Sequence, residues 1–129
     1  MSRLALLALF ILSLAIPGIS LASPADQKTE TKSTAESANV MILDVRTPEE
    51  FREQAVEGAI NIDVTDSRFV ARVNELDRSK TYKLYCRSGS RSGMAQKLMK
   101  AEGFSHLENL GSVSQAAKKL GRKCLPKSC

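Results

Sequence analysis

A strand, a loop and the start of a helix follow one another in Tyr82-Lys83-Leu84-Tyr85-Cys86-Arg87-Ser88-Gly89-Ser90-Arg91-Ser92. The strand covers 82–85 and runs directly into Cys86, and the loop after it has no bulky apolar side chain. A helix is expected over about 91–102, ended by Gly103. The apolar stripe of this helix, at the spacing of one helical face, consists of Met94, Ala95, Leu98 and Met99.

The same alternation extends on both sides of this segment. The apolar run Val40-Met41-Ile42-Leu43 predicts a strand buried on both faces. A short helix follows, with Thr47 as its cap and its end near Gln54. A second strand is predicted over 59–62. Asp66 is then expected to cap a helix whose apolar residues lie at helical spacing: Phe69, Val70, Val73 and Leu76.

After the central segment, a fourth strand is predicted over 105–110 and a last helix over 113–120. Alternating strands and helices require crossover connections, and so they predict an α/β domain with about four parallel strands and helices on both faces. In such sheets, ligands bind beyond the carboxyl ends of the strands. We therefore expect one functional rim, formed by Asp44-Val45-Arg46, 61–63, 86–91 and Gly111.

Residues 1–22 have the composition of a signal peptide. Arg3 precedes an apolar run over 4–16, Pro17 and Gly18 break it, and small residues predict a cut after Ala22. The run is too short to span a bilayer, which takes ~20 residues. We therefore expect a periplasmic or secreted protein without a stable membrane anchor after signal removal. Chemistry that needs ATP or a nicotinamide cofactor is not expected there.

The rest of the 129-residue chain divides into three parts. Residues 23–39 hold nothing apolar larger than Ala and predict a flexible linker. Residues 40–121 hold the whole strand and helix pattern, and so they predict one domain. Residues 122–129 form a short C-terminal tail that contains two cysteines.

The formal net charge of +5 is concentrated in two places, 87–91 and 118–127. A nucleic-acid surface needs a broad basic face with aromatic side chains for stacking. The chain has no Trp and few other aromatic residues. We therefore interpret the basic residues as a local attraction for anions and expect no nucleic-acid binding.

Cys86 is the candidate nucleophile. Successive N–H groups of the loop can surround its sulfur, and the helix that follows adds the positive end of its dipole. Arg87 and Arg91 add full positive charges. These effects favour the thiolate, and such sites lower a cysteine pKa from ~8.5 to ~3.5–7.5.

Other cysteine chemistry fits this sequence poorly. A cysteine hydrolase needs a base beside the thiol, whereas the one histidine, His106, is expected at the opposite end of the sheet, more than ~10 Å away by strand geometry. The three cysteines are too few and wrongly spaced for a zinc site. No metal or other cofactor is expected.

The loop over 86–93 resembles the active-site loop of rhodanese domains, the thiosulfate sulfurtransferase family. Similar motifs occur elsewhere in the family's order: Leu43-Asp44-Val45-Arg46-Thr47-Pro48-Glu49-Glu50-Phe51, Gly58-Ala59-Ile60-Asn61-Ile62, Gly103-Phe104 and Asn109-Leu110-Gly111. The resemblance covers roughly 40–111 and is strongest to small, exported, single-domain rhodaneses. The chain differs at Gln54-Ala55-Val56-Glu57-Gly58, where the family commonly has Gly-His-Ile-Pro-Gly, and at Gly111-Ser112, where it has two glycines.

This resemblance implies a small rhodanese-like fold and a sulfurtransferase activity without a cofactor. Cys86 would take the outer sulfur of thiosulfate as a persulfide and pass it to cyanide or a thiol. Both donor and acceptor would be small molecules, and the protein is expected to be a monomer. The residues expected to bind substrate are Arg87, Ser88, Gly89, Ser90 and Arg91.

Two residues after the first strand are expected to support the site. Asp44 would act structurally, by accepting hydrogen bonds from the loop or by pairing with an arginine, more than by a direct catalytic effect. Arg46 would either reach the pocket mouth or pair with Glu49 or Glu50. The sequence leaves these alternatives open.

Two alternative functions remain at this stage. The first is a persulfide carrier that hands sulfur to a partner protein. The second is an enzyme for oxyanions, like the phosphatases and their relatives with a Cys-x5-Arg loop. Cys86 and Arg91 form a Cys-x4-Arg loop, one residue shorter, which suits a single terminal sulfur better than a tetrahedral oxyanion.

Cys124 and Cys129 lie beyond the resemblance. Pro126 between them favours a turn, and paired cysteines in an oxidising compartment usually form a disulfide. We therefore predict a Cys124–Cys129 bridge that leaves Cys86 free. The alternative is a reduced pair that accepts sulfur from the Cys86 persulfide.

Overall fold

The structure is a computed structural model that describes Gly18 and residues 38–129. Apart from Gly18, the predicted signal peptide lies outside the described residues, and so does nearly all of the predicted linker. Among the residues described, no helix has the length and apolar character needed to cross a membrane.

Strands and helices alternate along residues 40–125. In chain order they are β1 (Val40–Asp44), α1 (Pro48–Glu53), β2 (Ala55–Val56), β3 (Ala59–Asn61), α2 (Phe69–Asn74), β4 (Thr81–Cys86), α3 (Ser90–Ala101), β5 (Leu107–Ser112), α4 (Val113–Leu120) and β6 (Cys124–Leu125).

In the described part of the chain, β3, β1, β4 and β5 form one parallel sheet in that order. Leu84 in β4 lies opposite Leu43 in β1 and Asn109 in β5. The β4–β5 register shifts after Leu84, so that Cys86 lies opposite Ser112. The predicted four-stranded parallel sheet is confirmed.

Helices cover both faces of this sheet. Successive residues of a strand point to opposite faces, and so each strand contributes side chains to two separate clusters. On one face, Leu43 and Leu84 belong to a core cluster with residues of α2 and α3. On the other, Ile42 and Tyr85 belong to a second cluster with residues of α4. Cys86 belongs to the first cluster, and its side chain therefore lies on the face covered by α2 and α3.

Helix α1 begins as the sequence predicts. The Thr47 hydroxyl accepts a hydrogen bond from the Glu50 N–H at 3.4 Å, and the Glu50 carboxylate accepts one from the Thr47 N–H at 3.2 Å. Pro48 occupies the first helical position, where its missing N–H has no cost. This capping box fixes Glu50 at the start of the helix, facing the rim of the sheet.

The predicted start of α2 is wrong. Asp66 does not cap this helix: its carboxylate accepts the N–H of Arg68 at 2.8 Å, and its carbonyl accepts the N–H of Phe69 at 2.9 Å. This turn delays the helix, whose cap position is Arg68. Phe69 and Val73 are buried, as their spacing predicts.

Two further predictions differ from the structure. The fourth strand is β5, displaced by two residues toward the carboxyl terminus, because its pairing with β4 continues to Ser112. In α3, Ala95 and Met99 are buried, but Met94 and Leu98 remain 47% and 36% exposed. The buried stripe of α3 is therefore narrower than the sequence pattern suggests.

The segment 122–129 packs against the domain. β6 pairs with β2 in an antiparallel ribbon, with Cys124 opposite Val56 and Leu125 opposite Ala55. Cys124 is buried in the cluster beneath α4 and is joined to Cys129 by a disulfide. Cys86 is a free cysteine.

Candidate active site

The loop that leaves β4 folds around the Cys86 thiol. The thiol is fully buried at the end of the strand, and the Gly89 N–H donates to its sulfur at 3.0 Å. Gly89 has a φ of 97°, which places its backbone in a region that glycine adopts most easily. Helix α3 begins at the next residue, Ser90. Backbone conformation thus directs the N–H groups toward the sulfur.

These contacts alter the acidity of Cys86. Burial raises the pKa of the thiol, but hydrogen bonds from Ser92, both hydroxyl and N–H, and from the N–H groups of Ser88 and Gly89 lower it by more. The pKa of Cys86 therefore lies below its ordinary value. A lowered pKa makes the thiolate, which is the nucleophilic form, more abundant at neutral pH.

Ser92 offers one hydroxyl proton to three acceptors. Its Oγ lies 2.8 Å from Asn109 Oδ1, 3.1 Å from the Gly89 carbonyl oxygen and 3.5 Å from the Cys86 sulfur. The shortest of these contacts favours Asn109 when Cys86 is a neutral thiol. A thiolate is a stronger acceptor, and so ionisation of Cys86 favours rotation of this hydroxyl toward the sulfur.

Asn109 joins β5 to the cysteine loop. Its Nδ2 donates to the Gly89 carbonyl at 3.0 Å, and its Oδ1 accepts from both the Ser92 hydroxyl and, at 3.0 Å, the Gly111 N–H. The hydrogen bond to the Gly89 carbonyl fixes the peptide group between Gly89 and Ser90. This peptide group directly follows the Gly89 N–H, which donates to the sulfur. Asn109 therefore orders the loop without touching Cys86 in the contacts described.

Arg91 pairs with Glu50 at two points. Nη1 of Arg91 lies 2.6 Å from one carboxylate oxygen of Glu50, and Nη2 lies 2.8 Å from the other. The hydrogen bond from Arg91 lowers the pKa of Glu50 to about 2. This pairing changes the role that the sequence suggests for Arg91, because its charge is already compensated. The pair fastens α3, and with it the loop, to α1.

Asp44 and Arg46 form a buried ion pair at the end of β1. The Arg46 guanidinium donates to both carboxylate oxygens of Asp44, and the Arg46 N–H donates to one of them at 3.0 Å. The guanidinium also donates to the carbonyl of Gln54. Arg46 therefore pairs with neither Glu49 nor Glu50, and Asp44 serves to hold the turn between β1 and α1.

The model of the rhodanese-like domain family matches residues 27–117. The chain belongs to this family. Its relatives include the thiosulfate sulfurtransferase PspE of Escherichia coli, which is 35% identical over 58% of this chain and 72% of PspE. The tRNA sulfurtransferase of Vibrio cholerae is 31% identical over 63% of this chain, which spans 17% of that protein. Sulfur transfer is thus the general activity that the family and these relatives support.

A solved structure described as rhodanese with anions, from E. coli, resembles this rhodanese-like domain. It matches with a TM-score of 0.51 and 35% sequence identity, over 59% of this chain and 89% of that one. The sequence resemblance and the predicted rhodanese-like fold are thereby confirmed. The predicted fold class, α/β with a four-stranded parallel sheet, is the fold of this family.

Beside the cysteine loop, the rhodanese-like domain has a cavity of about 450 Å³. Arg87 is exposed and lines it, and no described side chain forms an ion pair with Arg87. Ser88 and Ser90 are also exposed at the loop. The cavity is lined by Arg46, Glu50, Glu53, Gln54, Arg87, Ser112, Val113, Ser114 and Cys129.

His106 and the cysteines fit no metal or hydrolase site in the described part of the rhodanese-like domain. His106 immediately precedes β5, whose opposite end, Ser112, lies beside Cys86. Its imidazole is therefore at the far end of the sheet from the thiol. Among the described residues, His, Cys, Asp and Glu side chains form no group of three or more that would hold a metal ion.

Sequence reasoning missed two residues of this site, Ser92 and Asn109. Ser92 stands in the quoted loop, but its place on the buried side of α3 depends on where that helix starts. Asn109 belongs to a motif shared with the family, and its contact with the loop depends on the shift in the β4–β5 register. The sequence signal available for Asn109 was its place in the shared motif at the carboxyl end of a strand, and for Ser92 its place in the first turn of the helix after the loop.

Proposed function

We propose that the protein is a thiosulfate sulfurtransferase whose Cys86 carries the transferred sulfur as a persulfide. The observation that carries this proposal is a buried thiol with a lowered pKa inside a cradle of N–H donors. The match to PspE, named a thiosulfate sulfurtransferase, supports the choice of donor.

In the first half-reaction, the Cys86 thiolate attacks the outer sulfur of thiosulfate. A new S–S bond forms at Cys86 while the S–S bond of thiosulfate breaks, and sulfite leaves with the electron pair. The hydrogen bonds that lower the pKa of Cys86 favour the thiolate, and so no general base is needed beside it. The N–H of Gly89 and the Ser92 hydroxyl are available to hold the negative charge of the persulfide.

In the second half-reaction, cyanide or a thiolate attacks the outer sulfur of the persulfide. That sulfur leaves with the acceptor, and the electron pair of the broken bond returns to Cys86 as a thiolate. Arg87, which forms no ion pair with any described side chain, is available to attract thiosulfate and offset charge as sulfite departs. Arg91, held by Glu50, acts by positioning the loop.

Mass spectrometry of the intact protein tests this proposal. Thiosulfate alone should release sulfite and leave a protein heavier by one sulfur atom, with the extra mass on Cys86 in peptide mapping. Cyanide should then remove that mass and yield thiocyanate. Initial rates with both substrates varied should give parallel double-reciprocal lines, and Cys86→Ser should be inactive but folded. Residual activity in this variant, or intersecting lines, would contradict the proposal.

A second candidate is a persulfide relay that hands sulfur to a partner protein. The likeness to a protein named tRNA sulfurtransferase favours this alternative. This chain matches only 17% of that protein, so the matching region there is one part of a longer sulfurtransferase. The two candidates differ in the second half-reaction. A relay would form the Cys86 persulfide but turn over poorly with cyanide and with small thiols.

We also propose that the protein is exported, works as a monomer and acts on small molecules, with no role in nucleic-acid binding. The support is the signal-like composition of residues 1–22, the restriction of basic residues mainly to 87–91 and 118–127, and the small number of aromatic residues. Fractionation of cells that express the full chain tests export. Loss of residues 1–22 from protein outside the cytoplasm is the expected result.

A further inference from the structure

The basic side chains near the C-terminus form one surface, which we call the basic face. Its five cations equal the formal net charge of +5, so the rest of the chain has as many acidic as basic side chains. No Asp or Glu follows Glu108 in the sequence. All five side chains are exposed: Lys118, Lys119, Arg122, Lys123 and Lys127. We propose that the basic face binds the surface of a membrane that contains anionic lipids.

Helix α4 carries Lys118 and Lys119 in its last turn and is fixed to the sheet by the buried Ala116 and Ala117. Cations at this end of a helix interact favourably with its dipole. The dipole therefore gives a structural reason for these two lysines. It gives none for the other three cations of the basic face, which lie beyond the helix.

Those three cations are held in place by the packing of segment 122–129. Arg122 Nη1 donates to the Glu57 carbonyl at 3.1 Å, and the Lys123 carbonyl accepts the Glu57 N–H at 2.8 Å. Lys127 lies in the loop that the disulfide closes. The charges are thus presented from an ordered scaffold, and binding needs to order little further backbone.

The charge of the basic face is not balanced within the protein. None of its side chains forms an ion pair with a described carboxylate. Lys118, Arg122 and Lys123 line one hollow of about 530 Å³ between α4 and the C-terminal segment. The exposed Glu57 side chain and the terminal carboxylate of Cys129 lie nearby, but the five cations outnumber them. Clusters of about four to eight basic residues are typical of surfaces that bind anionic lipids.

An apolar residue lies among these cations and favours a membrane over an acidic protein. Leu125 is 50% exposed and lies between Lys123 and Lys127 in the chain, with Pro126 exposed beside it. This run of exposed residues forms a projecting loop. The headgroup layer of a bilayer can surround such a loop, with lipid phosphates at the cations and the apolar side chain among the acyl chains. A protein partner would need a recess of matching shape.

Binding at the basic face leaves the cysteine loop uncovered. Helix α4 covers the sheet face of Ile42 and Tyr85, whereas the Cys86 side chain lies on the other face. The helix begins beside Ser112 at the rim, and Lys118 lies roughly 9 Å further along its axis by helix geometry. The inference therefore goes beyond the proposed function and does not depend on it.

Sedimentation with lipid vesicles tests this proposal. The protein used begins at Ser23, because the apolar run over 4–16 would itself enter lipid. Every described strand, helix and core residue is kept. We expect binding to phosphatidylcholine vesicles that contain about one-third phosphatidylglycerol, and at least tenfold weaker binding to phosphatidylcholine alone. Raising the salt from about 0.1 M to about 1 M should weaken the binding, since salt screens exposed charges.

Two triple variants of equal charge separate the basic face from net charge. The face variant is Lys118→Gln/Lys123→Gln/Lys127→Gln. The control variant is Lys80→Gln/Lys97→Gln/Lys100→Gln. Each basic residue at an anionic surface strengthens binding roughly fivefold, so the face variant should bind about a hundredfold more weakly. The control variant removes three charges from other surfaces, where they are screened from the lipid, and should change binding by no more than about threefold.

Leu125→Gln keeps every charge and should weaken binding several-fold without changing the salt dependence. Equal binding to the two kinds of vesicle, or equal losses in the face and control variants, would overturn the proposal. Binding to soluble polyglutamate but to no vesicle would also overturn it, since the basic face would then fit an acidic protein. The face variant should release sulfite from thiosulfate at the wild-type rate, so failure of lipid binding and failure of sulfur transfer are separate results.

Discussion

Gly89 and Gly111 approach each other where the cysteine loop meets the end of β5. A Cβ atom on Gly89 would lie 3.3 Å from the Cα atom of Gly111, and both residues have positive φ angles. A backbone atom cannot move aside as a flexible side chain can. The Gly89 N–H, which donates to the Cys86 sulfur, is thus held in place by the positive φ of Gly89 and by the close approach of the Gly111 backbone.

Gly89→Ala should therefore impair both stability and sulfur transfer. The left-handed conformation costs an L-residue roughly 1–2 kcal/mol, and the contact with Gly111 adds strain inside the loop. We expect the rate of sulfite release to fall at least tenfold. Gly121→Ala is the matched control, because Gly121 also has a positive φ but has open space around it. It should lower the free energy of unfolding in urea and leave the rate unchanged. Equal rates in the two variants would contradict this account.

Ser92→Ala should raise the pKa of Cys86, because it removes a hydrogen bond that stabilises the thiolate. The rate of alkylation by iodoacetamide, measured against pH, should reach its midpoint at a higher pH than in the wild type. At neutral pH the reaction should slow several-fold. Ser88→Ala is the control, since Ser88 acts through its backbone N–H, which the substitution keeps. A midpoint that moves equally in both variants would show that the hydroxyl has no part in it.

Asn109→Ala should loosen the loop without removing any group that touches the sulfur. The substitution removes the acceptor of the Gly111 N–H and one of the donors to the Gly89 carbonyl, which keeps the Ser92 hydroxyl and the Gly93 N–H, and this should cost about 1–3 kcal/mol of stability. We expect sulfite release to slow about tenfold. Asn74→Ala loses comparable side-chain hydrogen bonds, to Glu102 and Arg78, far from the rim. For Asn74→Ala we expect the wild-type rate of sulfite release per folded molecule. A rate as slow as that of Asn109→Ala would refute the positioning role of Asn109.

The Glu50–Arg91 pair should make stability depend on pH in the acid range. The folded-state pKa of Glu50 is about 2, below its ordinary value of 4.5. The carboxylate therefore contributes its full stabilisation above about pH 4.5, and this contribution is lost as the pH falls toward about 2. In Glu50→Gln, the free energy of unfolding should fall less steeply across this window.

Asp66 titrates over the same window, because the hydrogen bond from Arg68 lowers its pKa to about 2. Asp66→Asn is therefore the control for the previous prediction. Arg91→Ala should flatten the profile as Glu50→Gln does, and the double variant should add little further. The two single changes should also slow sulfur transfer, whereas Asp66→Asn should not. Additive effects in the double variant would mean that the two residues act independently.

Much of the fold follows from local patterns in the sequence. The apolar runs of β1 and β4, the capping box at Thr47 and the limits of α4 are all set by neighbouring residues, and the structure agrees with them. Errors arise where a turn competes with the start of a helix, or where a distant partner strand decides the length of a strand. The start of α2 depends on a local turn at Asp66, and the end of β5 depends on its pairing with Cys86.

The candidate site, too, is predictable from the sequence only where neighbouring residues decide its structure. The loop sequence identifies Cys86 as the nucleophile, because the N–H groups of the loop and the start of α3 follow Cys86 directly in the chain. The partners of Arg46 and Arg91 could not be assigned. Arg46 turns back onto Asp44, two residues earlier in the chain, and the pairing of Arg91 with Glu50 depends on how α1 packs beside the loop. The ribbon of β2 and β6 has two residues in each strand, too few to produce a recognisable alternation.

The central position of β4 has a consequence for hydrogen exchange along the strand that ends at Cys86. Opening β4 requires the loss of both ladders that flank it, whereas β3 and β5 each pair along one edge within the described sheet. Its amides should therefore exchange with solvent among the slowest in the domain. Because Cys86 ends this strand and pairs with Ser112 of β5, fraying of β3 at the other edge leaves the pairing at Cys86 intact. Local opening of β3 therefore leaves in place the part of the sheet from which the cysteine loop starts.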